Sequence, residues 1–308
     1  MTDNKLIEKL NKVEKIASAS KFKRMLMSPF KYFHAILFRE LIYKRKKIEK
    51  EIITTTFFDT KMHLLLPSGT DIYLTGGKSH DSEIRLAKFL INYLQPGDTF
   101  IDVGAHYGYF SLLASTLVHN NGRVYSFEAS PTTYKILNKN TINTINVEGF
   151  NLAVSDENAA LKFYEFPNLY SEYNTIDITQ FQKENWFLRY KPRKINIRSI
   201  VLDEFLLAKG VNPRIIKIDV EGAELKVING LSKYLSESSP MIAMEYLSQK
   251  RGNKEHQQAA AKLHALGYLS FVIDSNGNLK QIEKISKYLK EMALESENIV
   301  FVKAQNAL

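Results

Sequence analysis

The first fifty residues carry apolar side chains at helical spacing. Between residues 6 and 17, apolar positions recur at steps of three and four residues, which predicts a helix with one narrow apolar stripe. Ser28 and Pro29 then have the pattern of an N-cap followed by proline in the first turn, so we expect a second helix to begin there. The apolar side of this second helix consists of Phe30, Phe33, Leu37 and Leu41.

The next segment changes from helical spacing to short runs rich in threonine and phenylalanine. Two such runs, 52–58 and 62–66, predict short antiparallel strands. Asp81 is then a candidate N-cap of a helix that ends at the proline-glycine pair 96–97.

From residue 99 onwards, strand-like apolar runs are mostly separated by helix-length segments. The runs are 99–103, 123–127, 214–218, 241–244, 268–273 and 299–302. This alternation predicts an α/β fold with a doubly wound sheet. We therefore divide the chain into a helical arm (1–50), a short strand-forming segment (51–80) and one α/β domain (81–308).

The composition is that of a globular protein and narrows the chemistry. A chain of 308 residues is long enough for one large domain or two smaller ones with a proper core. The sequence has no cysteine, which excludes disulfides, cysteine-ligated metal sites and a thiol nucleophile. Catalysis would therefore depend on oxygen and nitrogen groups.

The whole net charge of +9 lies in the N-terminal arm. Residues 1–50 contain 14 basic and 5 acidic residues, and the charges of the remaining chain balance. Because aromatic and leucine residues lie beside a basic block at 44–47, one interpretation is contact with an anionic membrane surface. The alternative is that the helices pack on the domain or on a second copy of the chain, as in a homodimer.

The location of the protein follows from two features that the sequence lacks. No apolar run reaches the ~18 to 20 residues of a membrane span, and no apolar block follows the polar start of the chain. We therefore expect a cytoplasmic protein, peripheral at the inner face of the membrane if the arm binds lipid. A nucleic-acid partner is not expected, because the body of the chain is neutral.

A ligand-binding pattern begins at the end of the first predicted strand of the domain, 99–103. Gly104 and Gly108 bracket the turn that follows this strand and leads into an apolar helix. In an open parallel sheet, ligands bind at the carboxyl ends of the strands, where glycines allow close approach to the backbone and to a helix N-terminus. The glycine spacing differs from the dinucleotide fingerprint, so we expect a nucleotide-type ligand that is not a nicotinamide dinucleotide.

The second predicted strand, 123–127, ends in Glu128. A carboxylate at this place can accept hydrogen bonds from both hydroxyls of a ribose. The alternative is that Glu128 is the N-terminal acid of a helix that begins at Pro131.

The strand at 214–218 delivers two further carboxylates, Asp219 and Glu221, to the same edge of the sheet. Glu224 opens the following helix and is interpreted as a first-turn or capping acid. A crowded carboxylate can have its pKa raised into the range of a general base, so Asp219 and Glu221 are candidate catalytic residues.

Four motifs occur in a fixed order along the domain. They are Asp102-Val-Gly-Ala-His-Tyr-Gly108, Phe127-Glu128-Ala-Ser-Pro131, Val201-Leu-Asp-Glu-Phe205 and Lys217-Ile-Asp-Val-Glu-Gly-Ala-Glu224. Over residues 81–246 the chain resembles the FkbM family of S-adenosylmethionine-dependent methyltransferases. The resemblance implies a class I methyltransferase fold with a Rossmann-like sheet of seven strands, S-adenosylmethionine as donor, and usually a hydroxyl of a sugar, glycolipid or polyketide as acceptor.

The resemblance also implies roles for individual residues. The expected donor contacts are Asp102, Gly104, Ala105, His106, Gly108, Glu128, Asn151 and Ala153. Those of the first turn would line the methionine end of the donor, Glu128 would hold the ribose, and the segment 151–153 would lie against the adenine. The family's turn most often has asparagine where this chain has His106, so contact between the His106 ring and the donor stays open.

Methyl transfer to a hydroxyl requires alignment of donor and acceptor and removal of one proton. Asp219 or Glu221 is the candidate base, and Glu245, at the end of the strand 241–244, can join them. The alternative is that the three carboxylates hold a divalent cation. No histidine accompanies them at ligand spacing, so no metal is predicted.

The segment 157–200 is longer than a simple crossover and combines nine aromatic residues with a basic stretch at 189–198. Aromatic faces with basic neighbours suit sugar rings and phosphate or uronate groups, so this insert is predicted to bind the acceptor. The alternative is an extra hairpin that uses the aromatics as its own core.

The function predicted from these features is O-methylation of a small-molecule or glycan acceptor with S-adenosylmethionine. Two other classes stay open. One is a nucleic-acid methyltransferase that uses the basic arm, and the other is a non-catalytic, membrane-associated scaffold that keeps the fold without turnover.

Overall fold

The alternating strands and helices fold into one large sheet with helices on both faces, as the sequence predicts. The computed structural model describes residues 3–182 and 184–306. The strands are β1 (Lys50–Thr55), β2 (Lys61–Leu66), β3 (Thr99–Val103), β4 (Arg123–Phe127), β5 (Val147–Phe150), β6 (Ala153–Ser155), β7 (Ala160–Glu165), β8 (Arg193–Val201), β9 (Ile215–Ile218), β10 (Met241–Leu247), β11 (Tyr268–Ile273), β12 (Leu279–Gln281) and β13 (Ser296–Lys303).

The helices lie before, between and after these strands. They are α1 (Asp3–Ala17), α2 (Lys21–Met27), α3 (Pro29–Leu37), α4 (Lys44–Lys46), α5 (Thr70–Thr75), α6 (Asp81–Tyr93), α7 (Tyr109–Val118), α8 (Pro131–Thr141), α9 (Leu202–Lys209), α10 (Glu224–Asn229), α11 (Ser232–Glu237), α12 (Lys254–Ala265) and α13 (Ile285–Glu291). A π-helical turn, Phe38–Tyr43, joins α3 to α4. Short 3₁₀ turns occupy Asn168–Tyr173, Thr179–Phe181, Gln249–Arg251 and Ala304–Asn306.

The large sheet has the strand order β12-β11-β13-β10-β9-β3-β4-β5. The five strands from β10 to β5 are parallel, and β13 runs antiparallel between β10 and β11. Strand β12 is an eighth strand beyond the seven that the resemblance implies. It pairs with β11 across a turn in which Asp274 accepts hydrogen bonds from the backbone N–H groups of Asn276 and Asn278.

The six apolar runs all form strands. Where a strand is longer than its apolar run, the additional residues pair with a neighbouring strand. Strands β3, β4 and β11 begin and end at the predicted residues. Strand β10 continues three residues beyond the predicted end at Met244, because Glu245 to Leu247 pair with β13. Successive residues face opposite sides of the sheet: Phe100 packs toward α6 and α7, and Ile101 packs toward α9, α10 and α12.

The insert predicted at 157–200 contributes β7 and most of β8, which make an antiparallel pair and form a smaller sheet of order β6-β8-β7 with the preceding strand β6. Most of its aromatic rings pack on one another between these strands. The Trp186 ring stacks on Tyr170 with centroids 4.1 Å apart and lies 5.5 Å from the Tyr173 ring. The hairpin with an aromatic core, which the sequence left as an alternative, therefore describes most of these residues.

The structure differs from the predicted capping of two helices. Ser28 occupies the N-cap position of α3, but its side chain makes no capping hydrogen bond. Asp81 is the first residue of α6 rather than its cap, and His80 occupies the N-cap position. Both helices nevertheless begin where the sequence predicts.

The N-terminal arm packs on the domain through part of its surface. Leu6, Leu10 and Val13 of α1 are buried against α6, and Glu14 forms an ion pair with Lys88 at 2.7 Å. The packing alternative therefore holds for α1. In the part of the chain that the structure describes, no helix is both long and apolar enough to span a bilayer.

We predict that Leu10→Ala lowers the free energy of unfolding by about 2 to 5 kcal/mol, because it leaves a cavity between α1 and α6. The matched control is Leu26→Ala in α2, where the leucine is 62% exposed and the expected change is within about 0.5 kcal/mol. Urea unfolding of the full-length variants measures both. A Leu10 variant as stable as the control would show that α1 does not belong to the core.

Candidate active site

A cavity of about 590 Å³ lies at the carboxyl ends of β3, β4, β9 and β10. Its volume falls in the range of about 300 to 1,000 Å³ that is usual for ligand sites. Its walls come from the loops after these strands, from α5, from the first turn of α6 and from residues 171–174 of the insert. The cavity therefore lies at the sheet edge that the sequence predicts for ligand binding.

The turn after β3 lies directly against the turn after β9. Gly104 has φ +78°, and a Cβ there would lie 1.8 Å from the carbonyl oxygen of Asp219. The backbone N–H groups of Gly104 and Ala105 donate to the carbonyl oxygen of Phe127 at 3.0 Å. Glycine at 104 is therefore required for the two turns and the end of β4 to meet.

Glu128 connects the turn after β3 with the start of α8. Its carboxylate accepts hydrogen bonds from the backbone N–H groups of His106 and Ser130, both at 2.9 Å. Burial raises the pKa of Glu128 to about 7, although these two hydrogen bonds lower it in part. Each carboxylate oxygen keeps further acceptor capacity on the cavity side, so the structural role and ligand binding are compatible.

Five of the eight predicted donor contacts line the cavity: Gly104, Ala105, His106, Glu128 and Ala153. The other three do not line it. Asp102 is fully buried beneath the turn, where it accepts a hydrogen bond from Ser111 Oγ at 2.6 Å.

Asn151 and Gly108 do not line the cavity but contact the segments that form its wall. The Asn151 side chain donates to the carbonyl oxygens of Glu128 and Ala129 at 2.9 and 3.1 Å, which fixes the end of β4. Gly108 has φ +87°, and a Cβ there would lie 2.7 Å from the Leu137 side chain. Both residues therefore position the neighbouring turns.

The His106 side chain links the turn after β3 to the insert. Its Nε2 lies 3.0 Å from Ser171 Oγ, and its backbone has a positive φ of 49°. Burial lowers the pKa of His106 to about 3, so the ring is neutral at physiological pH. The structure therefore gives this histidine a hydrogen-bonded position in the cavity lining.

Lys217 is a functional-site residue that the sequence reasoning missed. Its buried Nζ lies 3.3 Å from Asp102, 3.5 Å from Asp219 and 3.3 Å from the carbonyl oxygen of Gly104. Burial lowers the pKa of Lys217, but the two carboxylates outweigh it and raise the pKa overall. The signal was a lysine inside the apolar run Ile215-Ile216-Lys217-Ile218.

The three predicted catalytic carboxylates meet in the cavity. One oxygen from each of Asp219, Glu221 and Glu245 lies within 4.8 Å of the others. Burial and the like charges raise the pKa of Glu245 to about 8 and the pKa of Glu221 well above its usual value. The cluster can therefore hold or accept a proton near neutral pH, and its spacing also suits a divalent cation.

Glu224 shapes the turn that carries this cluster. Its buried carboxylate accepts hydrogen bonds from the backbone N–H groups of Val220 and Gly222 and lies 3.3 Å from His256 Nε2. Glu221 within this turn has a positive φ of 54°. Of the two predicted roles, the structure shows Glu224 as an acid of the first turn of α10; it does not cap this helix, because it accepts from the preceding turn.

A second polar group on the cavity wall was also missed. Lys78, just before α6, forms ion pairs with Glu83 and with Glu172 of the insert. Burial raises the pKa of Glu172, but the charge of Lys78 and its hydrogen bond, with smaller effects from two histidines, outweigh burial and lower the pKa to about 2. Lys78 and Glu172 are 94 positions apart, so no local pattern could have paired them.

The insert contributes both apolar and polar side chains to the cavity wall, among them Leu161, Phe163 and Ile176 on the apolar side. Glu172 and Tyr173 line it, whereas Trp186 does not. Among the described residues, the five basic side chains of the stretch at 189–198 also lie outside the lining. The cavity wall formed by the insert therefore contains an acid, Glu172, and none of the basic side chains that the sequence predicts there.

We predict that Lys217→Met lowers the free energy of unfolding by about 3 to 5 kcal/mol, because the Asp102 carboxylate is left buried without its cation. The double variant Lys217→Met/Asp102→Asn should recover part of this loss, since no buried charge then lacks a partner. Thermal and urea unfolding of both variants measure the difference. A double variant no more stable than the single one would contradict the proposed pairing.

Comparison with known proteins identifies the family. The profile of the methyltransferase FkbM domain matches residues 102–270, more than half of the chain. A search of curated proteins gave no match.

Several solved structures are similar to the chain. The FkbM methyltransferase of Methylobacillus flagellatus KT has 11% sequence identity and a TM-score of 0.40, and the alignment covers 76% of this chain and 52% of that one. The precorrin-6y C5,15-methyltransferase of Geobacter metallireducens GS-15 has 14% identity, a TM-score of 0.39 and coverage of 72% and 88%. The S-adenosylmethionine-dependent O-methyltransferase of Thermotoga maritima has 14% identity, a TM-score of 0.40 and coverage of 82% and 77%.

The family match and the strand order agree. Without β12, the large sheet runs β11-β13-β10-β9-β3-β4-β5, with one antiparallel strand, which is the arrangement of class I methyltransferases. The matched segment contains the turn after β3, Glu128 and the carboxylate cluster. The chain therefore belongs to the FkbM family of methyltransferases, whose methyl donor is S-adenosylmethionine.

Proposed function

We propose that this methyltransferase transfers the methyl group of S-adenosylmethionine to a hydroxyl of a sugar, glycolipid or related metabolite. The observation that carries the proposal is the convergence of Asp219, Glu221 and Glu245 within 4.8 Å on the wall of the cavity, beside the turn at Gly104. A hydroxyl must lose a proton when it is methylated, and this cluster can take one.

The residues of the cavity fit the donor. Gly104 keeps the turn after β3 free of a side chain, and Glu128 presents carboxylate oxygens to the cavity. We assign the ribose hydroxyls of the donor to Glu128 and its adenine to the side of Leu152 and Ala153. When bound, the donor supplies a methyl group attached to a positively charged sulfur.

The carboxylate cluster performs the proton transfer in this proposal. Glu245 accepts the hydroxyl proton of the acceptor as the new C–O bond forms and the C–S bond of the donor breaks. Its raised pKa of about 8 suits a base that works near neutral pH. The turns around the cavity hold the two reactants in line, and such alignment can supply about 7 to 11 kcal/mol of the barrier.

The polar wall of the cavity supports an uncharged, hydroxyl-rich acceptor. Glu83, Glu172 and Asp71 face the cavity, and the acidic residues of its lining outnumber the three cations there, Arg24, Lys78 and Lys217. Carboxylates accept hydrogen bonds from sugar hydroxyls, whereas a phosphate or uronate at this place would meet like charge. We therefore favour a neutral sugar ring at the reacting end of the acceptor.

We predict that Glu128→Ala weakens S-adenosylmethionine binding by about 2 to 4 kcal/mol, because two ribose hydroxyls lose a charged acceptor. Glu128→Gln keeps one carbonyl acceptor and should lose less. Isothermal titration calorimetry of folded variants gives the affinities. Binding of the alanine variant within a factor of three of wild type would reject the ribose assignment.

We predict that kcat, at saturating donor, rises about tenfold per pH unit below pH 8 and then levels off, because Glu245 must be ionised to act as a base. Glu245→Gln should lose the pH dependence and about 10²- to 10⁴-fold in kcat, with donor affinity retained. Glu237→Gln, an exposed glutamate of α11, is the matched control.

The measurement uses S-adenosylmethionine with a radiolabelled methyl group and a panel of sugar, sugar-nucleotide and glycolipid acceptors. Label that enters nitrogen, carbon or RNA would contradict the proposed acceptor. If chelation abolishes the activity and a divalent cation restores it, the cluster is a metal site and the assignment of Glu245 as base fails. Absence of donor binding would favour the scaffold.

A further inference from the structure

Helices α2 and α3 and the π-helical turn leave a row of large apolar side chains in solvent. We call this row the apolar ridge; it consists of Phe22, Leu26, Met27, Phe30, Phe33, Leu37, Leu41 and Ile42. Their exposed fractions range from 42% at Ile42 to 90% at Phe30. Contiguous exposed apolar side chains of this kind mark interaction surfaces on proteins.

The ridge is anchored to the domain through α3 and the π-helical turn, which bury Ala35, Phe38 and Tyr43. Phe38 and Tyr43 are buried in a cluster with Leu66 and Tyr190, and the Tyr43 hydroxyl accepts a hydrogen bond from the backbone N–H of Leu169 at 3.1 Å. The spacing at 30, 33, 37 and 41 places one side of the helix outward while this side packs inward. The part of the ridge on α3 and the π-helical turn is therefore a fixed surface of the folded protein, and α2 extends it.

Basic residues surround the ridge. Residues 21–47 contain nine lysines and arginines and one acid, Glu40; Arg24 lines the cavity, which leaves eight cations beside the ridge. Glu40 is paired with Arg39 and Lys44. The surface that presents the ridge therefore has a strong positive charge.

We propose that the apolar ridge docks on an anionic lipid leaflet, with its aromatic and leucine side chains at the acyl boundary and the surrounding cations against the headgroups. An amphipathic helix with basic flanks binds in this way, and each basic residue near an anionic surface adds to the attraction. A symmetric contact with a second copy would bring the same cations together, so charge disfavours it. A nucleic acid would match the charge but would leave the ridge uncovered.

Helix α2 contributes residues both to the apolar ridge and to the lining of the active-site cavity. Arg24 of α2 lines the cavity, and its Nε is buried there without a hydrogen-bond partner, while Phe22 and Leu26 of the same helix are exposed. Docking through the ridge would place the cavity next to the leaflet. This arrangement suits a membrane-borne acceptor, but the surface itself is inferred independently of the proposed acceptor.

The test is co-sedimentation of the full-length protein with vesicles of phosphatidylcholine alone and of phosphatidylcholine mixed with phosphatidylglycerol. We expect binding to the mixed vesicles that weakens with salt, and at least about tenfold weaker binding by Phe30→Ser/Phe33→Ser. The matched control is Ile145→Ser/Leu207→Ser, at two exposed apolar positions away from the ridge, which should bind like wild type.

A second measurement uses the absence of cysteine from the chain. A polarity-sensitive dye on Phe30→Cys should shift to the blue with the mixed vesicles, and the same dye on Leu207→Cys should not. Equal vesicle binding by the ridge variant and wild type, or equal shifts at both positions, would overturn the proposal. So would a lipid-free dimer that the ridge substitutions dissociate.

Calorimetric titration with S-adenosylmethionine, done on the same variants, separates this proposal from the proposed function. Loss of vesicle binding with donor binding retained supports the ridge. Loss of vesicle binding in the control variant as large as in the ridge variant, with donor binding retained in both, would overturn the proposal, because the loss would not depend on the ridge.

Discussion

A single buried ammonium group, that of Lys217, sets the geometry of the active site. It lies between the two central strands, β3 and β9, and contacts Asp102, Asp219 and the carbonyl oxygen of Gly104. A buried charge is costly unless it is paired and hydrogen-bonded, so each of these contacts must persist in the folded protein. The turns that follow β3 and β9 are therefore fixed relative to each other.

The rest of the site follows from this contact between two turns. Because the carbonyl of Asp219 approaches the α-carbon of Gly104, no side chain fits there, and the turn stays open to a ligand. The other carboxylates of the second turn are then held near Glu245 of β10, where burial and like charge raise the pKa of Glu245. The two sides of the cavity to which we assign the donor and the proton transfer thus depend on the same contact between the turns after β3 and β9.

The sequence predicted the parts of this structure that depend on local patterns. Apolar runs located β3, β4 and β11 to the residue, because a strand buried inside the sheet shows in the sequence as its own short apolar run. The end of each strand then located Glu128 and Asp219, since carboxyl ends of parallel strands meet at one edge. The sequence analysis placed Asp102 among the donor contacts, but the Asp102 side chain is buried beneath the turn and does not line the cavity. Its pairing with Lys217 was not recognised from the sequence.

The parts that escaped prediction depend on contacts between distant positions. The apolar stripe of α1 could have faced a membrane, a second chain or the domain, and only the folded structure shows its contact with α6. The pairing of Lys78 with Glu172 joins the beginning of the domain to the insert. Aromatic residues of the insert looked like a sugar-binding surface, yet a ring such as Trp186 packs equally well on its neighbours.

The central claim is that the donor lies across the turn at Gly104 with its ribose on Glu128. The most direct measurement is a crystal structure of the protein with S-adenosylhomocysteine, the product of the donor. The account predicts both ribose hydroxyls within hydrogen-bond distance of the Glu128 carboxylate, and the sulfur on the side of the cavity that holds Asp219 and Glu245. A product bound elsewhere in the molecule, or a ribose held by other residues, would contradict it.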